Sequence, residues 1–301
     1  MTRGDLVTVG VASYNRPELL KRAIQSAVTQ TYKNLEILIS DNGSSKPEVK
    51  EIIEDFARSD IRIRCIFHPV NQGPFFNFSS VLNEATGDYF VWLADDDYWS
   101  PEYVEQLMGA ALQSGAALTY GRCEIVDVSL PDSERVAKEM PTVPGALSAM
   151  MAFVRFDSDS IFYGLFSTAT GKKLAGLLRN WHVSKSMAAD YPFLEHNFVS
   201  YVFIFGLLSS GGFCNASSDR VVHYAGGRDP FSQSPSLGLR HLGLFLVYIL
   251  IHVQMAARFA KAALSAGSLI GVLASPIAAW FLFSRRIGMI VFQRFIRLLR
   301  G

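Results

Sequence analysis

Three adjacent carboxylates, Asp95, Asp96 and Asp97, close the hydrophobic run Tyr89-Phe90-Val91-Trp92-Leu93-Ala94. Like charges this close are costly unless a cation or hydrogen-bond donors offset them. Oxygen ligands of this kind suit Mg²⁺ or Mn²⁺, and Mg²⁺ is commonly held by one or two carboxylates together with substrate phosphates. The same residues also fit an Asp-rich turn that caps the following helix. The run before them is apolar enough for a strand in the middle of a sheet. Open α/β sheets place ligands outside the carboxyl ends of such strands.

Two earlier strand ends carry matching chemistry. One run ends in Ala12-Ser13-Tyr14-Asn15-Arg16-Pro17 and another in Ser40-Asp41-Asn42-Gly43-Ser44. Together with Asp95 to Asp97 they would form a cleft with an aromatic platform, short polar groups and clustered carboxylates. Such a set can hold a planar base, its sugar and a metal-bound diphosphate. Taken alone, Asp-Asn-Gly-Ser is also an ordinary turn. No Gly-rich turn follows the first strand and no phosphate-loop lysine is present, so phosphate charge falls to the metal.

The elements that must position these residues follow from periodicity. Strands are predicted over Leu6 to Ala12, Leu35 to Ser40, Ile61 to Phe67, the run before Asp95, and Ala117 to Tyr120. Helices are predicted over Pro17 to Thr29, Lys46 to Arg58, Pro74 to Ala85 and Pro101 to Gln113. This alternation predicts an α/β chain with a mostly parallel sheet between helices. Later, Phe162 to Ala169 reads as a strand and Phe193 to Leu208 as an apolar helix stopped by Ser209-Ser210-Gly211-Gly212.

Bulk properties narrow the setting. A net charge of +1 over 301 residues gives no global field for nucleic acid. Cys65, Cys123 and Cys214 are far apart and form no disulfide framework or zinc spacing, which fits a reducing compartment. The N-terminus lacks the basic-then-apolar pattern of a signal peptide, so the catalytic part is expected in the cytosol.

Mean hydropathy is high, +0.20, and its source lies late in the chain. No acidic residue follows Asp229, while Arg240, Arg258, Lys261, Arg285, Arg286, Arg294, Arg297 and Arg300 remain. The uncharged run Leu264 to Ser284 is long enough to cross a bilayer, and Leu242 to Ala257 is shorter. Residues 1–229 are therefore read as one domain and 230–301 as a hydrophobic, Arg-rich, membrane-associating helical region. Helices packed on the globular domain or on a dimer partner are the alternative.

Several motifs carry a family resemblance. Val11-Ala12-Ser13-Tyr14-Asn15-Arg16-Pro17, Glu36 through Ser44, Asn71-Gln72-Gly73, Ala85-Thr86-Gly87-Asp88-Tyr89 and Leu93 through Pro101 resemble, in order, the family 2 glycosyltransferases. Asn77 resembles the variant found in O-antigen and abequosyl-type transferases. The resemblance implies a GT-A nucleotide-diphospho-sugar transferase fold, here with a C-terminal hydrophobic helical region. It implies that Ser13 and Tyr14 line the base pocket and that Asp41 accepts a hydrogen bond from the base. Asp95 would face the ribose, and Asp96 would bind a divalent metal, Mn²⁺ or Mg²⁺, that bridges the diphosphate. Many members have an Asp where this chain has Ala94.

The implied reaction is sugar transfer from a nucleotide-diphosphate donor to a hydroxyl of a polyprenyl-linked saccharide, on the cytoplasmic face of the cell membrane. An inverting transfer needs a carboxylate base, and Glu195 and Asp190 are the candidates. Asp190 could instead cap a helix, and Glu195 could serve its first turn. A nucleotide-sugar-binding scaffold that has lost catalysis is the alternative function.

Overall fold

Three buried strands stand side by side at the centre of the chain: β1 (Val7–Ser13), β2 (Leu35–Asp41) and β4 (Tyr89–Ala94). They belong to a computed structural model that describes residues 5–126, 135–136, 139–156, 159–179, 199–216, 222–226, 253, 255–282 and 284. β3 (Ile63–Phe67) joins the outer side of β2, and the short β9 (Phe166–Ser167) joins β4, giving the order β3-β2-β1-β4-β9. The β1–β2 and β1–β4 pairings are parallel, and their registers end together: Ser13 lies opposite Asp41, and Ala12 lies opposite Ala94. Three chain segments thus leave the same sheet edge side by side.

Period-two alternation on β4 divides the core. Phe90 and Trp92 enter one apolar cluster, and Val91 and Leu93 enter the other. The second cluster is closed by α1 (Pro17–Val28), α2 (Pro47–Ser59) and α4 (Tyr103–Ser114), with Leu20, Ile24, Val49, Ile53, Val104 and Leu107 buried. The first is closed by α3 (Pro74–Glu84), α6 (Thr168–Arg179) and α7 (Val199–Leu208). Trp92 stacks on Phe162 with ring centroids 4.4 Å apart. α7 is buried all round, as a helix apolar on every face must be.

The expected fold needs two corrections. First, the β-structure is mixed rather than mostly parallel. β9 runs antiparallel to β4. A second sheet contains β5 (Tyr98–Trp99), β7 (Arg122–Val126), β8 (Arg135–Val136) and β11 (Val222–Gly226), with β5–β11 and β7–β8 antiparallel. β6 (Leu118–Tyr120) pairs with β10 (Phe213–Asn215). The predicted strand over Phe162 to Ala169 is instead a 3₁₀ turn at Ser160–Tyr163, the two-residue β9 and the start of α6.

Second, among the described residues no helix is long and apolar enough to cross a membrane, although the uncharged run Leu264 to Ser284 has the length for it. The physical cause is a helix stop inside the uncharged run. Gly267 takes φ 78°. Its N–H donates to Leu264 O (2.9 Å) and the Ser268 N–H donates to Ala263 O (2.8 Å). These two bonds are a Schellman stop, which a left-handed glycine makes available. The run is therefore divided between one helix over 255–265 and another over 269–282.

Candidate active site

The loops after β1 and β2 are cross-tied. Asn15 sits at φ 58°, a left-handed conformation that Asn tolerates better than most residues. Its Oδ1 accepts the N–H groups of Ser45 (2.8 Å) and Lys46 (3.3 Å), and its own N–H donates to Ser44 Oγ (2.8 Å). Asp41 closes the other side of this tie, accepting the Ser44 N–H on both carboxylate oxygens at 3.2 Å and the Ser44 hydroxyl as well. Gly43, at φ 71°, packs against the Val70 backbone, where a Cβ would lie 2.6 Å from the Val70 carbonyl carbon. The bend at Asn15 turns Arg16 toward β4.

The carboxylates after β4 form a tight turn in which the Asp97 N–H donates to Ala94 O at 3.1 Å. Arg22 of α1 holds this turn by its backbone, with Nη2 donating to Asp96 O at 2.6 Å and its guanidinium over the Tyr98 ring. Arg16 holds it by the side chains: Nη1 donates to Asp95 Oδ1 (3.0 Å) and to Asp96 Oδ2 (2.8 Å). The Tyr14 N–H adds a long bond to Asp95 Oδ2 at 3.3 Å.

Charge is nevertheless in deficit here. Burial pushes the Asp95 carboxyl above its usual range; Arg16 opposes the shift and the neighbouring Asp96 reinforces it. Burial also pushes Asp96 up, with Asp97 adding to the shift and Arg16 opposing it. For Arg16, burial works against the charge, yet Asp95 and Asp96 raise its pKa overall. One half-exposed guanidinium thus partly neutralises two carboxylates, Asp95 buried and Asp96 about a third exposed.

Asn77 fixes the floor of the cleft. It lies on the inward face of α3 with Ser80 and Val81, and it is 3% exposed. Its Nδ2 donates to Ser13 O (3.2 Å) and Ser40 O (3.1 Å), and its Oδ1 accepts the Ser40 hydroxyl at 2.6 Å. It therefore ties the ends of β1 and β2 to α3. Asn42 extends the network, with Nδ2 donating to Asn71 Oδ1 (2.9 Å) and Gly73 O (3.0 Å). Above this floor opens a cavity of about 360 Å³, lined by Ala12, Ser13, Tyr14, Arg16, Asn42, Asn71, Pro74, Asn77, Phe78, Ala94, Asp95, Asp96 and Tyr163.

The residues present fit a divalent cation of one particular kind. Among the described residues no group of three or more His, Cys, Asp or Glu side chains could hold a metal by itself. Asp95 and Asp96 offer two oxygens-only groups beside an open cavity, in a spot where burial already calls for positive charge. That suits an ion whose remaining ligands are phosphate and water, the usual situation of Mg²⁺.

Ser13, Tyr14, Asp95 and Asp96 therefore line one cavity. Asp41 is not among the lining residues, being turned to Ser44. Asp190 and Glu195 lie outside the described residues. Sequence reasoning assigned no role to Arg16, Arg22, Asn42 or Tyr163. Asn77 had a detectable signal, since an amide on the apolar face of a helix breaks the periodicity. Arg16 had only its place after Asn15.

Residues 8–167 match the model of the family described as "Glycosyl transferase family 2". A Campylobacter jejuni protein named GalNAc(5)-diNAcBac-PP-undecaprenol beta-1,3-glucosyltransferase is 34% identical over 120 residues, covering 40% of this chain and 38% of that protein. An Escherichia coli protein, UDP-Glc:alpha-D-GlcNAc-diphosphoundecaprenol beta-1,3-glucosyltransferase WfaP, is 37% identical over 95 residues, covering 32% of this chain and 37% of its own. An uncharacterized glycosyltransferase of Haemophilus influenzae is 31% identical over 123 residues, or 41% of this chain and 49% of the relative. The matched stretch spans less than half the length of each of these relatives. In fold, the chain is similar to S. aureus TarS 1-349 crystallised with UDP, at a TM-score of 0.61 and 13% identity, covering 90% of this chain and 68% of that one. With its model matched across more than half of the 301 residues, and with the acidic turn and both neighbouring strand ends inside the match, the chain belongs to glycosyl transferase family 2.

Proposed function

We propose that this chain is a glycosyltransferase that moves a sugar from a nucleotide-diphosphate donor to a hydroxyl of a polyprenyl-diphosphate-linked glycan, with inversion, at the cytoplasmic face of the membrane. One observation carries the reading. Two carboxylates short of positive charge share a cavity with an exposed tyrosine and a ring of amides. The names of the Campylobacter and Escherichia relatives, both undecaprenol-diphosphate glucosyltransferases, support the acceptor class.

In this reading the Tyr14 ring, 40% exposed at the cavity wall, takes the base, and Ser13 lies beneath it. Asp95 faces the ribose. Asp41 reaches the base only by giving up its bonds to Ser44. Asp96, with Asp95 beside it, would hold Mn²⁺ or Mg²⁺. The ion would supply electrostatic stabilisation of the departing diphosphate. Arg16, whose guanidinium stands beside both carboxylates at the cavity wall, would meet phosphate oxygen. In the transfer itself, the acceptor oxygen bonds to the anomeric carbon as the bond from that carbon to the diphosphate oxygen breaks. The bonding pair leaves with the nucleoside diphosphate, and the acceptor proton passes to a carboxylate, Glu195 or Asp190.

A panel of nucleotide sugars tests this reading, using purified full-length protein, Mn²⁺ or Mg²⁺ and a lipid-linked acceptor extract. Release of nucleoside diphosphate with a matching gain in acceptor mass is the expected result. Donor binding by calorimetry without turnover would favour the scaffold reading. No binding across the panel overturns both.

A further inference from the structure

The helix over 269–282 is built inside out for a helix on a water-soluble surface. Its packed side is made mostly of small residues: Gly271, Ser275, Ala278 and Ala279 are buried, and Leu282 is the one large residue buried with them among the described ones. The approach there is close, since a Cβ on Gly271 would lie 2.6 Å from Ala263 Cβ and 2.7 Å from Ser209 Cβ. Its open side carries the large apolar groups. Leu269, Leu273, Ile277, Trp280 and Phe281 recur at helical spacing and are 56–74% exposed. Large side chains normally go inward, and contiguous exposed apolar surface marks an interaction face.

This face continues across a groove of about 510 Å³ to α5 (Ala146–Phe156), where Leu147 and Met151 are also exposed and Arg155 stands on the lining. Two facts select the occupant. Among the described residues no helix is long and apolar enough to cross a membrane. Its flanks are of one sign, since the chain after Asp229 holds eight basic residues and no acidic one. A second copy would bring like charges together across a shared interface, whereas anionic lipid headgroups complement them. The indole of Trp280 suits the boundary between headgroups and acyl chains.

The geometry points to one-leaflet docking: the open face of the helix over 269–282, with Leu147 and Met151 of α5, lies flat in the interface of an anionic phospholipid leaflet. The groove between them receives lipid acyl chain. This deepens the reading of a membrane-face enzyme by naming the element that seats it, and rests on that reading for location only.

Flotation of the full-length protein with vesicles of phosphatidylethanolamine and phosphatidylglycerol tests it, with phosphatidylcholine vesicles as the contrast. Binding is expected to the anionic vesicles. The double variant Leu273→Glu, Ile277→Glu is expected to lose about tenfold or more in vesicle affinity while keeping its circular dichroism, because both side chains are exposed in the folded chain. Trp280 emission should shift to the blue and be quenched by lipids brominated near the headgroup, and Trp280→Phe should remove that quenching. Protein that is monodisperse without detergent and never floats overturns the proposal. So does a double variant that floats like the parent, or parent protein that favours neither vesicle. A dimer abolished by the double substitution, with no flotation, assigns the face to a second copy instead. Nucleotide-sugar turnover in detergent separates the two readings: flotation without turnover in parent and variant leaves the docking face standing and removes the transferase.

Discussion

Arg16 Nη1 lies 2.8 Å from Asp96 Oδ2, an ion pair across the mouth of the cleft between the loop after β1 and the turn after β4. The same nitrogen bonds Asp95, so one guanidinium stands where a divalent cation with phosphate would compete. Arg16→Ala should cost the ligand-free protein about 1 kcal/mol or less, because the arginine is half exposed and solvent screens it. It should also enlarge the thermal stabilisation produced by Mn²⁺ with nucleoside diphosphate. Thermal melts with and without the ion read both effects; an unchanged Mn²⁺ response separates Arg16 from the metal.

Chelation should abolish transfer, and Mn²⁺ or Mg²⁺ should restore it. Asp96→Ala should lose nearly all turnover and all metal-dependent stabilisation while remaining folded, since its side chain is about a third exposed in a surface turn. Full-rate transfer in excess chelator would remove the metal from the site.

The acidic turn sets a pH dependence of known sign. Asp95 and Asp96 are held above their usual carboxylate range by burial. The folded state therefore keeps their protons to higher pH than the unfolded state does. Their contribution to stability is full below the unfolded pKa and is lost as pH rises through the folded one. Ligand-free Asp95→Asn should accordingly lose less stability than the parent across that window, as urea unfolding at stepped pH would show.

Asn77→Leu deletes three hydrogen bonds and leaves Ser13 O and Ser40 O without that donor. The expected cost is about 1–3 kcal/mol per group left unsatisfied, read from denaturant midpoints. Donor affinity should fall with it, because the same amide sets the spacing of the two strand ends. Tyr14→Ala is the opposite case. Its exposed ring carries little packing, so stability should hold while nucleotide affinity drops about tenfold, the scale of one lost base stack.

Glu195→Gln and Asp190→Asn should differ. The true base loses about 10²–10⁴-fold in turnover with little change in donor binding. The other carboxylate is nearly silent in the same single-turnover assay.

The central sheet was legible because β1, β2 and β4 are near-continuous apolar runs ending in polar residues, a local signal. β5 and β9 were not, since each is two residues long and pairs with a partner far along the chain. The bilayer-length run was read from its lack of charge, and Gly267 defeats that reading because a single left-handed residue outweighs hydropathy. Ser13, Tyr14, Asp95 and Asp96 could be gathered from the sequence as strand-end residues. Arg16 could not, because its reach depends on the bend at Asn15. Asp41 was placed correctly at a strand end, but its carboxylate is spoken for by Ser44.

The pairing of β5 with β11 has a mechanical consequence. Trp99 lies opposite His223 and Tyr98 opposite Tyr224, so the chain that runs on past Gly226 is moored to the residues that directly follow Asp97. Any displacement of β11 would therefore be delivered beside the acidic turn.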